Sequence, residues 1–106
     1  MKIELYHTDT CPSWKKALEV LNITLKKMKI DHKVEIILVR NQKEAEKYKF
    51  VGSPTIRIGG KDIDPMAKNF RKFSVTMCRT FYYNEKISDH PTEGMITDFL
   101  KSMSNA

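Results

Sequence analysis

The chain has 106 residues, of which 41% are hydrophobic, and its net charge is +6 from 19 Lys and Arg against 13 Asp and Glu. These values fit one domain with a core and exclude a disordered tail. No apolar run reaches the roughly 18 residues of a membrane span, and two cysteines are too few for a disulfide framework or a four-cysteine metal site. The first residues form no secretory signal, so we expect a cytoplasmic protein.

The N-terminal part of the chain predicts a strand, a loop and a helix. Apolar and polar side chains alternate over residues 2–7, which is typical of a short strand. The loop that follows ends in Cys11 and Pro12, and proline suits the first turn of a helix. We therefore predict that Thr10 or Cys11 caps a helix with an apolar stripe that ends near Lys29.

The middle of the chain predicts two further strands separated by a short helix. Residues 33–39 end in a nearly continuous apolar run, which is typical of a central strand that is covered on both faces. Asn41 can cap the short helix. Residues 55–58 predict the next strand, and the glycine pair after it predicts a hairpin turn.

Residues 61–88 are ambiguous, because two segments compete for the fourth strand. Residues 61–63 follow the glycine turn directly, but Lys and Asp are poor strand formers. Residues 78–83 read Cys-Arg-Thr-Phe-Tyr-Tyr, a better strand composition, and we expect the strand there unless the intervening segment folds back. A last helix begins near Asp89.

The order of these elements predicts an α/β domain. A right-handed crossover makes the first two strands parallel, and the glycine turn adds an antiparallel hairpin. The order β-α-β-α-β-β-α therefore predicts a mixed four-stranded sheet with helices on both faces. An irregular or extended segment is expected at about 61–88.

Cys11 is the first candidate for chemistry. A thiol at a strand-to-helix junction lies close to unpaired backbone N–H groups and to the positive end of the helix. Both favour the thiolate, so we expect a thiol pKa below the free value of about 8.5, and the thiolate is the nucleophile of disulfide exchange. The structural alternative is a buried, inert cysteine.

The second candidate is the Ser53-Pro54-Thr55 sequence before the third predicted strand. A proline that opens a strand cannot donate to the ladder. A cis peptide bond before Pro54 would turn the backbone of Ser53 outward, leaving its N–H and C=O free for an extended peptide or a thiol ligand. The alternative is an ordinary trans proline at the start of a strand.

These two motifs together resemble the thioredoxin and glutaredoxin superfamily, and within it small thioredoxin-like proteins with a Cys-x-x-Trp motif and a late Cys-Arg pair. The resemblance implies one thioredoxin-like domain over residues 1–106. It implies that Cys11 is the attacking cysteine and that Pro54 is a cis-proline facing it. The residues that it places at the substrate are Pro12, Trp14, Ser53, Pro54 and Thr55.

Cys78 is the only intramolecular disulfide partner that Cys11 can have, because the chain contains two cysteines. Trp14 stands where a Cys-x-x-Cys motif has its second cysteine. If residues 61–63 form the return strand, the segment after them can bring Cys78 to Cys11. If residues 78–83 form it, Cys78 lies roughly 17 Å away, beyond the Cα separation of about 7 Å that a disulfide tolerates. Composition favours the second arrangement, and the role of Cys78 stays open.

The expected function is thiol–disulfide exchange through Cys11, resolved by Cys78 or by an external thiol such as glutathione, with no bound cofactor or metal. The expected partner is a protein or a low-molecular-weight thiol or disulfide, and no membrane. The alternative is a non-catalytic binding module for a protein or for a soft metal ion, with His7 as a third ligand. The sequence leaves open whether the chain is an enzyme and whether it forms a homo-oligomer.

The basic residues make the weakest functional prediction. They are mostly lysines scattered along the chain, which is typical of solvated faces and argues against nucleic-acid binding. The densest patch is Lys68, Arg71 and Lys72, and salt-sensitive binding of nucleic acid there is a third hypothesis. His7 is expected to be structural, and Arg79 a solvated strand residue. The alternative is that Arg79 pairs with a carboxylate or lowers the pKa of the Cys78 thiol.

Overall fold

The computed structural model describes residues 2–104. Its regular elements are β1 (Ile3–His7), α1 (Trp14–Lys27), β2 (Val34–Leu38), α2 (Gln42–Lys47), β3 (Thr55–Ile58), β4 (Lys61–Asp62), a 3-10 helix (Pro65–Asn69), β5 (Phe81–Tyr83), β6 (Lys86–Ser88) and α3 (Glu93–Ser104). Within these residues no helix has both the length and the apolar character needed to cross a membrane.

The first four strands form one mixed sheet in the order β2-β1-β3-β4. β1 is parallel to β2, with Leu5 opposite Ile36, and antiparallel to β3, with Leu5 opposite Ile56. β3 and β4 form an antiparallel hairpin. The predicted mixed four-stranded sheet is therefore confirmed.

Helices cover both faces of this sheet. Ile3 and Leu5 of β1 lie in the larger apolar cluster, together with buried residues of α1 and α3. Tyr6 lies in a smaller cluster with Ala45 of α2 and with Phe50. Because successive side chains of a strand point to opposite faces, α1 and α3 lie on one side of the sheet and α2 on the other.

The prediction that residues 33–39 form a central strand is wrong. β2 pairs only with β1 and lies at the edge of the sheet. Ile36 and Leu38 are 48% and 37% exposed. A continuous apolar run shows that a strand is favoured, but it does not specify how many neighbours the strand has.

The composition-based choice of residues 78–83 for the fourth strand is also wrong. The chain returns directly after Gly59 and Gly60, which adopt φ angles of 63° and 80°, and β4 follows at once. β5 instead pairs with β6 in a separate two-stranded sheet. A turn that requires positive φ at both central residues is a stronger local signal than the strand propensity of a later segment.

Candidate active site

Cys11 lies between β1 and α1 and is only 2% exposed. The N-cap of α1 is Ser13, whose side chain makes no capping hydrogen bond, and the helix begins at Trp14. The prediction of a cap at Thr10 or Cys11, with Pro12 in the first helical turn, is therefore wrong by two or three residues. Helix starts shift in this way because a turn can precede the helix, and here the Lys15 N–H donates to the Pro12 carbonyl at 3.2 Å.

The Ser53–Pro54 peptide bond is cis, and the loop that contains it lies against the end of β1. Ser53, Pro54 and Thr55 are all buried. The Ser53 hydroxyl accepts a hydrogen bond from the Thr8 N–H at 3.2 Å. This bond ties the loop before β3 to the loop that carries Cys11.

The backbone of Ser53 pairs with the chain itself. Its N–H donates to the Met77 carbonyl and its C=O accepts from the Arg79 N–H, both at 2.9 Å. These two bonds form a parallel bridge between Ser53 and Cys78. The backbone groups that the sequence suggested for an external peptide are therefore occupied by residues 77–79.

A disulfide joins Cys11 and Cys78, with Cα atoms 5.9 Å apart and a sequence separation of 67. The open question about the reach of Cys78 is thus answered by the hairpin of β3 and β4. Because β4 follows the turn directly, the chain after it returns to the end of the sheet where Cys11 lies. The separation of roughly 17 Å applied only to the alternative strand arrangement.

Arg79, the residue after Cys78, is buried, so the expectation of a solvated strand residue is wrong and the alternative of a carboxylate pair is the one that the structure shows. Its side chain is 2% exposed and forms ion pairs with Asp62 at 2.8 Å and Asp64 at 3.4 Å. The guanidinium also donates to the Thr55 hydroxyl at 3.2 Å and stacks over the Phe81 ring at 4.5 Å. An alternating Asp-x-Asp directly after the glycine turn was the signal that could have indicated a buried cation.

Gln42, the first residue of α2, holds the segment before Cys78. Its amide Nε2 donates to the Phe73 carbonyl at 2.8 Å, and its Oε1 accepts from the Val75 N–H at 3.2 Å. The start of α2 is itself fixed, since the Asn41 side chain accepts from the Glu44 N–H. The hydrogen bonds from Arg40 lower the pKa of the Glu44 carboxyl below its usual value. Nothing in the sequence pattern indicated the contact between Gln42 and residues 73–75.

Gly52 allows residues 77–79 to lie close against the loop that precedes β3. Its φ is +123°, and a Cβ atom there would lie 2.6 Å from Arg79 Cγ and 3.2 Å from Met77 Cγ. Real Cβ atoms do not approach other heavy atoms to 2.6 Å. The glycine is therefore required both for the backbone conformation and for the passage of residues 77–79.

The remaining predicted site residues, Trp14 and Pro12, differ in burial. Trp14 is half-buried and stacks on the His7 ring, with centroids 4.0 Å apart, while Pro12 is exposed. His7 Nδ1 lies 3.2 Å from the Thr8 carbonyl, in agreement with a structural role. Residues 2–104 contain no group of three or more His, Cys, Asp or Glu side chains suited to a metal ion.

The fold and this site define an α/β protein with a mixed four-stranded sheet, in which a disulfide joins the loop after β1 to a strand-like segment on the cis-proline loop. Residues 6–99 match the family described as a domain of unknown function, DUF2703, and the chain belongs to that family. No curated protein and no solved structure matches the chain significantly.

Proposed function

We propose that this chain is a thioredoxin-like redox protein that carries out thiol–disulfide exchange through the Cys11–Cys78 pair. The strand order β2-β1-β3-β4 and the cis Ser53–Pro54 peptide bond at the start of β3 support the thioredoxin-like fold that the sequence resemblance implies. In this proposal Cys78 is the second redox cysteine. It serves in place of the second cysteine of a Cys-x-x-Cys motif, whose position Trp14 occupies in this chain.

The observation that carries the proposal is how Cys78 is held beside Cys11. Polar contacts flank it on both sides, through Gln42 before it and Arg79 after it. None of these contacts includes a cysteine sulfur atom. We therefore expect the two thiols to stay close after reduction, which gives the bond a high effective concentration for closing again.

The proposed reaction moves two electrons between the protein and an external disulfide. One protein thiolate attacks an external disulfide R–S–S–R, forms a protein–S–S–R bond and releases R–S⁻. The second protein thiolate then attacks the protein-bound sulfur, closes the Cys11–Cys78 bond and releases a second R–S⁻. The protein is oxidised, the external disulfide is reduced to two thiols, and the proton of each protein thiol passes to solvent or to a released thiolate.

Oxidised glutathione tests this reaction directly. The reduced protein should convert one oxidised glutathione into two thiols and become the Cys11–Cys78 disulfide, as followed by alkylation and mass spectrometry. Cys11→Ser and Cys78→Ser should each stop at a glutathione mixed disulfide or fail to react. Ser13→Ala is the matched control, because the Ser13 side chain makes no capping bond.

The competing function is that of a soft-metal binding module, favoured by the closeness of the two cysteines. Two thiolates suit Hg(II) or Cu(I). Stoichiometric Hg(II) binding by the reduced protein, with no oxidation by oxidised glutathione, would support this function and exclude the redox proposal.

A further inference from the structure

The two cysteines of the disulfide differ sharply in their exposure to solvent. Cys11 is 2% exposed, whereas Cys78 is exposed. The backbone edge of Ser53, beside Cys11, is filled by residues 77–79. An external thiolate must reach the sulfur that it attacks, and attack depends on this access. The open side of the disulfide is therefore the side of Cys78.

A cavity of about 430 Å³ opens at Cys78. Its lining includes Arg71, Lys72 and Arg79 and contains no carboxylate; the other lining residues are Val51, Asn69, Phe70, Met77 and Thr80. Arg79 is already paired with Asp62 and Asp64. Arg71 and Lys72 are exposed, and they supply the uncompensated positive charge of this cavity.

The guanidinium of Arg71 is held in place by its own backbone neighbours. Its Nη1 donates to the Lys68 carbonyl at 2.7 Å and to the Phe70 carbonyl at 3.3 Å. A neighbouring cavity of about 610 Å³ shares Arg71 and Phe70 with the first and adds further cations, among them Lys49 and Lys61. Its lining also contains Asp62 and Asp64, which are the ion-pair partners of Arg79. The positive lining thus continues beyond Cys78, and a guanidinium fork suits carboxylate recognition.

From this arrangement we infer that electrons enter the protein at Cys78, delivered by an anionic low-molecular-weight thiol bound in the cavity lined by Arg71 and Lys72. This inference rests on the proposed function and deepens it, since it names both the sulfur that exchanges and the class of reductant. Cys11 then acts as the internal partner: it is the leaving thiolate on reduction and the closing nucleophile on oxidation.

The step balances as two successive exchanges. The anionic thiolate R–S⁻ attacks Cys78 Sγ, forms Cys78–S–S–R and expels Cys11 as a thiolate. A second R–S⁻ attacks the sulfur of R in that mixed disulfide, forms R–S–S–R and releases the Cys78 thiolate. Two molecules of thiol are oxidised to one disulfide, and the protein gains two electrons and takes up protons from solvent.

The entry point can be read from the first adduct. The oxidised protein is mixed with 3-mercaptopropionate, quenched at short times into N-ethylmaleimide and mapped by peptide mass spectrometry. The expected intermediate carries mercaptopropionate on Cys78 and maleimide on Cys11. The reverse labelling, with mercaptopropionate on Cys11, would overturn the assignment of Cys78 as the exchanging cysteine.

The charge preference can be tested by the ratio of wild-type to variant rates, because this ratio cancels the intrinsic nucleophilicity of each thiol. The doubly substituted variant Arg71→Gln/Lys72→Gln is compared with wild type, using anionic 3-mercaptopropionate, neutral 2-mercaptoethanol and cationic cysteamine. At low salt the variant should react about tenfold more slowly with the anionic thiol and change less than about twofold with the neutral one. Its reaction with cysteamine should become faster.

A second variant separates a local effect from a change of net charge. Lys26→Gln/Lys33→Gln removes the same number of charges from exposed positions that line neither cavity, and it should leave all three rates within about twofold of wild type. Equal wild-type-to-variant ratios for all three thiols would overturn the anionic site while leaving thiol–disulfide exchange intact. A disulfide that no thiol reduces would instead overturn the proposed function itself.

Discussion

At the scale of single residues, the position of Cys78 depends on two residues that have no thiol chemistry of their own. Arg79 is buried between two aspartates, and its backbone N–H pairs with Ser53. Gly52 leaves the space through which the Arg79 side chain passes. We regard both as positioning residues for Cys78, and this view makes two predictions.

Arg79→Lys should weaken the disulfide more than it weakens the fold. A lysine keeps the charge but cannot reach Asp62, Asp64 and Thr55 together, so charge-assisted hydrogen bonds worth roughly 1.5–3 kcal/mol each are lost. The disulfide should become easier to reduce by at least about tenfold in glutathione redox buffers. The exposed Arg40 provides the control, and an Arg79→Lys protein with the same redox equilibrium as Arg40→Lys would contradict the positioning role.

Gly52→Ala should displace residues 77–79, because its Cβ would lie 2.6 Å from Arg79 Cγ. The fraction of protein in the disulfide form should then fall in a fixed glutathione buffer. Gly60→Ala is a matched control: Gly60 also has a positive φ, of 80°, but no atom lies within 4 Å of its ideal Cβ. The free energy of unfolding of both variants should fall by about 1–2 kcal/mol because of backbone strain. Only Gly52→Ala should change the redox equilibrium.

The sequence indicated part of this site and missed the rest for a physical reason. Cys11 and the Ser53-Pro54 pair stand at element boundaries, where local signals are strong. The contact of Cys78 with Cys11 depends on how residues 64–77 return across the molecule, and no local pattern encodes that path. Arg79 was expected to be solvated because an arginine side chain is usually exposed. Its burial is tolerable because it pairs with the carboxylates of Asp62 and Asp64, which are remote from it in sequence.

At the scale of elements, α2 does more than cover one face of the sheet. Its first residue, Gln42, makes two hydrogen bonds to the backbone of residues 73–75. The segment between the 3-10 helix and β5 lacks regular structure apart from its bridge to Ser53. α2 therefore supplies one of the few attachments of the segment that carries Cys78.

Gln42→Ala should loosen this attachment without unfolding α2, because alanine is a good helix former. The two hydrogen bonds to residues 73–75 are lost, with a net value of about 0.5–1.5 kcal/mol each, so amide hydrogen exchange at Val75 should accelerate roughly tenfold. The substitution also removes the exposed bond from Gln42 Nε2 to the Glu46 carboxylate. Lys43→Ala, at the next position of the same helix, is the control. Unchanged exchange at Val75 would show that the segment is held without Gln42.

The element-scale predictions succeeded where a turn or a crossover fixed the geometry. The parallel pairing of β1 and β2 follows from the intervening helix, and the β3–β4 hairpin follows from its glycine turn. Apolar composition was a poorer guide. It placed β2 in the centre of the sheet, and it favoured the aromatic residues around β5 over the polar residues of β4.

At the scale of the whole molecule, the buried hydrophobic residues lie almost entirely outside the segment that carries Cys78. The buried members of the two apolar clusters lie in residues 3–63 and 81–100. Residues 64–80 contribute none of them. They attach through the disulfide, the Ser53 bridge, Gln42 and Arg79. The Ser74 N–H also donates to the Phe50 carbonyl at 3.2 Å, and the partly buried Val75 packs against the smaller cluster. We therefore expect the core to stay folded when the disulfide opens, which the proposed redox cycle requires.

Reduction should destabilise the protein without unfolding it. A disulfide spanning 67 residues restricts the unfolded chain enough to contribute up to about 4 kcal/mol in the chain-entropy model. Urea unfolding should therefore give a lower free energy for the reduced protein and for Cys11→Ser/Cys78→Ser than for the oxidised protein. Far-UV circular dichroism before the transition should be the same for all three.

The two outcomes of that measurement distinguish a redox couple from a structural staple. If the reduced protein keeps its native spectrum and a cooperative transition, the core alone maintains the fold and the disulfide is free to open and close during exchange. If reduction abolishes the transition, the disulfide is needed for folding. Reversible exchange would then require the protein to refold in every cycle, and the proposed function would be contradicted.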